Sequence, residues 1–117
     1  MKRSTIILAL MVVSSFAYAV THGQLTGTYR IGGKTFYDPP EEEPQNTHIY
    51  IQLTGSTAKD MYNVMDAKPQ YDICVDNGSK TKTIGEMQCT RSADGKEYRC
   101  WFGVDLKRQK ITRGAVC

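Results

Sequence analysis

The sequence predicts a small α+β domain: an antiparallel β-sheet of five to seven strands with one helix packed on it and two disulfides. Three observations carry that expectation. Residues 86–117, EMQCTRSADGKEYRCWFGVDLKRQKITRGAVC, read as a C-terminal three-stranded meander with turns at Asp94-Gly95 and at residues 107–110. Residues 48–54, HIYIQLT, alternate polar and apolar with the period of a half-buried strand. Residues 58–66 place Ala58, Met61, Tyr62 and Met65 on one helical stripe, which needs a sheet to cover. A barrel-like closure of the same strands is the alternative architecture.

The chain opens with the three regions of an export signal. Lys2 and Arg3 precede an apolar run over residues 6–13, and Ala17-Tyr18-Ala19 supplies small residues for cleavage after Ala19. The run is too short to span a bilayer, so no membrane span is expected after cleavage. Residues 20–117 are then one exported domain, periplasmic or secreted, behind a signal of bacterial style. Of the 15 Lys+Arg, two lie in the signal, so the rest of the chain nearly balances the 12 Asp+Glu. A near-neutral domain gives no reason to expect nucleic acid as a partner.

In chain order, residues 25–37 read as a hairpin turning at Gly32-Gly33, with Tyr29 facing Phe36. Residues 38–47, DPPEEEPQNT, break it and form a stiff acidic connector. The connector lacks the alternating ligands and glycine of an EF-hand loop, so no metal is expected. In the strand that follows, Ile49, Ile51 and Leu53 face the core, while His48, Tyr50 and Gln52 face out. Thr57 is the expected helix N-cap, with Asp60 completing a capping box, and Pro69 stops the helix. Residues 68–82 read mostly as loop, with a short strand over residues 73–75 holding Cys74 and a turn at Asp76-Asn77-Gly78.

The meander sets the cysteines. A two-residue turn at Asp94-Gly95 places Cys89 opposite Cys100 and Met87 opposite Phe102, which keeps apolar side chains on one face. A two-residue second turn places Leu106 opposite Ile111 and Cys100 opposite Cys117. Four cysteines in an exported chain read as two bridges, with three possible pairings. With these turns Cys89 and Cys100 form a hydrogen-bonded pair, about 5.5 Å apart at Cα, and Cys100 and Cys117 a non-hydrogen-bonded one, about 4.5 Å apart. The closer side chains suit a disulfide better. The expected bridges are Cys100 with Cys117 and Cys74 with Cys89.

For chemistry the chain offers little. It contains no nucleophile elbow, H-E-x-x-H pair or Gly-rich phosphate loop, so no catalytic residue and no cofactor are assigned. Trp101 and Arg99 point away from the cysteine face, with Gly103 and Gly114 expected opposite each other beside them. Exposed Trp and Arg are enriched where proteins bind partners. Trp101, Arg99, His48 and Tyr50 are therefore the candidate binding residues. The expected function is a small exported non-catalytic binding module, in the manner of inhibitors and immunity proteins, with a protein or envelope component as partner. The alternatives are a cell-envelope hydrolase using His48 with the acidic loop at Glu41, Glu42 and Glu43, or a structural envelope accessory protein.

Overall fold

The computed structural model describes Val20 and residues 22–114. The expected signal segment and Cys117 lie outside the described residues. The architecture is the expected one: a seven-stranded antiparallel sheet with one helix on it. Its elements are β1 (Gly27–Gly32), β2 (His48–Thr54), α1 (Gly55–Val64), β3 (Gln70–Tyr71), β4 (Lys80–Ile84), β5 (Met87–Arg91), β6 (Tyr98–Asp105) and β7 (Lys110–Thr112). The spatial order is β1-β2-β6-β5-β4-β3. Strand β6 is the spine. One edge pairs with β2 along its whole length, and the other pairs first with β5 and then with β7. No helix among the described residues is long and apolar enough to cross a membrane.

Helix α1 covers one face of the sheet. Its Ala58 and Tyr62 are buried, with Met65 just after it, against Leu53, Cys89 and Cys100. The predicted stripe is therefore the core stripe. The helix begins three residues earlier than expected, with Thr54 at its N-cap and no side-chain cap. Thr57 instead fastens the segment just before β1: it accepts from the Thr26 N–H (2.9 Å) and donates to the Gln24 carbonyl (3.1 Å). Lys82, on β4, reaches the other end. Its ammonium donates to the carbonyls of Tyr62 (2.9 Å) and Met65 (3.2 Å), the place where a cation best satisfies unpaired helix carbonyls.

The first hairpin does not form. Strand β1 pairs with β2, with Tyr29 opposite Ile51, and the chain leaves the sheet at Gly33. Gly33 is buried at a place where a Cβ would strike the Pro44 carbonyl, and its own carbonyl accepts from the Tyr50 hydroxyl. The long-range contact outweighs the local turn signal. Residues 73–75 also fail to form a strand: Asp72 Oδ1 accepts from the N–H groups of Cys74 (2.9 Å) and Val75 (3.4 Å), curling them into a turn. In their place β4 pairs with β5 through a tight turn at Gly85-Glu86, with Gly85 at φ 57°.

Both meander turns are longer than expected, and for one reason. Asp94 accepts from the Ser92 hydroxyl (2.6 Å) and the Lys96 N–H (3.0 Å), and of the two turn residues only Gly95 has positive φ. The loop is therefore residues 93–96, flanked by Ser92 donating to the Glu97 carbonyl (2.9 Å). The expected facing of Cys89 and Cys100 survives, but the alternation along the ladder is inverted, and theirs is a non-hydrogen-bonded pair. They form the disulfide, with Cα atoms 4.0 Å apart. This overturns the expected bridges of Cys100 with Cys117 and of Cys74 with Cys89. No described cysteine is a free thiol. At the second turn Asp105 Oδ1 accepts from the N–H groups of Lys107 (3.1 Å) and Arg108 (3.0 Å), and Gln109 takes φ 56°. The loop is residues 106–109, and Val104, not Leu106, faces Ile111.

Candidate functional site

The face of the sheet opposite α1 is an open trough. Its floor is made by the side chains that alternate away from the disulfide: Tyr50 and Gln52 on β2, Arg99 and Trp101 on β6, Gln88 and Thr90 on β5. Residues 33–47 rise on one side, and the turn at residues 72–79 rises on the other. All four sequence-predicted binding residues, His48, Tyr50, Arg99 and Trp101, lie on this face.

They do not play equal parts. His48 and Tyr50 were expected to face solvent, yet both are buried, with His48 only 6% exposed. Residues 33–36 cover Tyr50, and His48 packs against Tyr50 in turn. Phe36 folds back to meet the Tyr50 ring edge-on at 5.0 Å, and the Arg30 guanidinium lies 4.2 Å from the Phe36 ring and 5.1 Å from Tyr50. Burial pushes the Tyr50 phenol above its usual range. His48 stacks on Tyr50, with its Nδ1 2.7 Å from the Thr47 hydroxyl and its Nε2 3.6 Å from Asp105 Oδ2.

The carboxylate beside His48 is thus Asp105, from β6, and not one of the acidic-loop glutamates expected there. Glu43 serves the connector itself. It accepts from the Thr35 hydroxyl (2.6 Å), the Thr35 N–H (3.2 Å) and Gln45 (3.1 Å), and these bonds hold its carboxyl below the usual range. Asp105 is held low by the backbone N–H groups of its turn, above all that of Arg108. Among the described residues no three His, Cys, Asp or Glu side chains come together as a metal-holding group.

Trp101 is half-buried at the centre of the floor and walls two adjoining grooves. One, of about 270 Å³, runs toward Arg30, Phe36 and Tyr37. The other, of about 280 Å³, runs past Arg99 and Glu97 to Asn77 and Ser79. Register places Gln52 on one side of Trp101 and Gln88 on the other. Among the described residues the indole N–H of Trp101, the guanidinium of Arg99, the carboxylate of Glu97 and both flanking amides have no hydrogen-bond or ion-pair partner.

Gly103 and Gly114 do not face each other as expected. Gly103 pairs with Thr112 and makes room for the Tyr50 ring, which a Cβ would meet at 3.0 Å. Gly114 lies on the backbone of Phe102 and lines the first groove. Sequence reasoning missed Arg30, Phe36, Gln52 and Glu97. Alternation alone put Gln52 on this face, but the connector contacts had no local signal. No protein-family model matches the chain, and comparisons with curated proteins and with solved structures find no match either.

Proposed function

We propose that the protein is an exported, non-catalytic binding module, periplasmic or secreted, that engages its partner through the trough around Trp101. The carrying observation is the half-buried Trp101 between two grooves, bordered by polar side chains whose hydrogen bonds are unspent. A large amphipathic ring with unsatisfied polar neighbours is what a binding hot spot offers before its ligand arrives. The export reading rests on the three-part N-terminal signal and on the Cys89–Cys100 disulfide, which persists in oxidising compartments.

The test is capture from a cell-envelope extract by the tagged protein, compared with Trp101→Ala and Arg99→Ala. A component retained by the parent and lost by both variants supports the reading. Identical retention by all three removes the trough from it.

A hydrolase is the second reading, and one observation favours it: Thr47, His48 and Asp105 stand in the order of nucleophile, base and orienting acid. Against it, Thr47 and His48 are chain neighbours and the imidazole is buried, so the contact equally pins the start of β2 to the end of β6. Turnover of ester or amide substrates that is lost in Thr47→Val with the fold intact would favour the enzyme.

A further inference from the structure

We propose that the ligand of the trough is a neutral glycan, with one sugar ring stacked on the Trp101 indole and its neighbours running into the two grooves. This rests on the reading of the trough as a binding site and names what it binds. A pyranose ring has an apolar C–H face and a rim of hydroxyls that both donate and accept. The trough has the matching arrangement. The indole lies in the floor, with the Gln52 amide on one side and the Gln88 amide on the other. Arg99 on the same strand and Glu97 just before it line the second groove with Asn77 and Ser79. Amides, guanidinium and carboxylate each offer paired donors or acceptors, which suit adjacent hydroxyls.

The other ligand classes fit less well. An apolar ligand would seal the Arg99, Glu97 and glutamine side chains away from water without partners, at a cost for each. In the second groove an anion would meet Arg99 but also Glu97, so that groove offers it no net charge, and in the first the Arg30 guanidinium is already engaged by the Phe36 carbonyl and ring. A peptide adding as a strand needs unpaired ladder N–H and C=O groups. The floor strands β2 and β6 are paired on both edges, and so is β5. Only side chains face the trough, and a sugar, with an apolar ring face and a rim of hydroxyls, suits side chains set around a stacking ring.

Trp101 is the single tryptophan of the chain, so its emission reports this site and no other. The parent protein is titrated to millimolar concentration with cellohexaose, maltohexaose and chitohexaose. A saturable change in emission with at least one of them is expected. Arg99→Ala should weaken that binding about tenfold by the same readout, the scale of one lost polar contact. Trp101→Phe, followed by calorimetry, should weaken it by a similar factor, while Lys59→Ala on the helix side leaves it unchanged. No emission change with any of the three sugars overturns the glycan. So does binding that survives undiminished in both Arg99→Ala and Trp101→Phe. If the sugars fail while an envelope protein is still captured in a Trp101-dependent way, the glycan inference falls and the binding reading stands.

Discussion

Asp94 and Asp105 each close a turn with a carboxylate that accepts two hydrogen bonds, and in both cases those bonds hold the carboxyl below its usual range. The native state therefore binds fewer protons than the unfolded chain as acid is added. Stability from these groups is present above the unfolded carboxylate value, near pH 4, and is lost as pH falls through the lower native values. Asp105→Asn should flatten part of the fall in stability below about pH 4 in urea melts across pH; an unchanged profile would show the turn bonds to be idle. Thr112 is the opposite case. Its hydroxyl is buried with no hydrogen-bond partner among the described residues. Thr112→Val removes that unsatisfied group and should raise stability by about 1 kcal/mol in chemical denaturation. For the cysteines, Cys89–Cys100 leaves Cys74 and Cys117 as the one remaining pairing of four. A non-reducing peptide map should show both links, and finding Cys100 joined to Cys117 would contradict the described bridge. Replacing Cys89 and Cys100 together by Ala should cost about 3 kcal/mol, since the bridge shortens the loops open to the unfolded chain.

At the scale of elements, α1 depends on its far strand. Ten residues is short for a helix to persist alone, and its stability comes from packing and end contacts. Lys82 supplies the end contact and also lies 4.6 Å from the Tyr62 ring. Lys82→Met keeps the aliphatic stem but leaves the Tyr62 and Met65 carbonyls without their charged donor, so a loss of about 1.5 kcal/mol is expected, with faster amide exchange in the last helical turn. Gly103 does similar work for the other face, because any side chain there meets Thr112 and the Tyr50 ring. Gly103→Ala should destabilise by about 2 kcal/mol and disturb Tyr50, seen as a shifted ring resonance in NMR; a silent substitution would mean the two layers are looser than described.

Over the whole molecule, two unlike layers close the two faces of one sheet. The helix seals the disulfide face with apolar side chains, while residues 33–47 half-cover the opposite face, with Phe36 set between the Tyr50 ring and the Arg30 guanidinium of β1. The trough is what the connector leaves open. Burial raises the phenols of Tyr50 and Tyr62, one under each layer. Their contribution is whole below the unfolded value, near pH 10, and is lost as pH rises through the higher native values. Stability should therefore form a plateau between about pH 4 and pH 10, with the alkaline edge governed by both layers at once.

The class of fold, the helix stripe, the strand at residues 48–54 and the facing of Cys89 with Cys100 were all legible in the sequence, because each rests on periodicity or on parity, which a loop change of two residues leaves intact. Trp101 and Arg99 were placed on the right face by the same parity. The sequence by itself also determined that two aspartates sit at the meander turns. It did not show whether backbone φ or the carboxylate would set the loop, and that choice changed both loop lengths, the hydrogen-bonding class of the cysteine pair and with it the bridge. Only the tertiary structure decided that residues 33–47 return across the sheet. The contacts that hold them there, Tyr50 to Gly33 and Phe36 to Tyr50, join residues far apart in the chain, so no local propensity records them. Those contacts bury Tyr50, on which His48 stacks, and leave Trp101 at the floor of the trough.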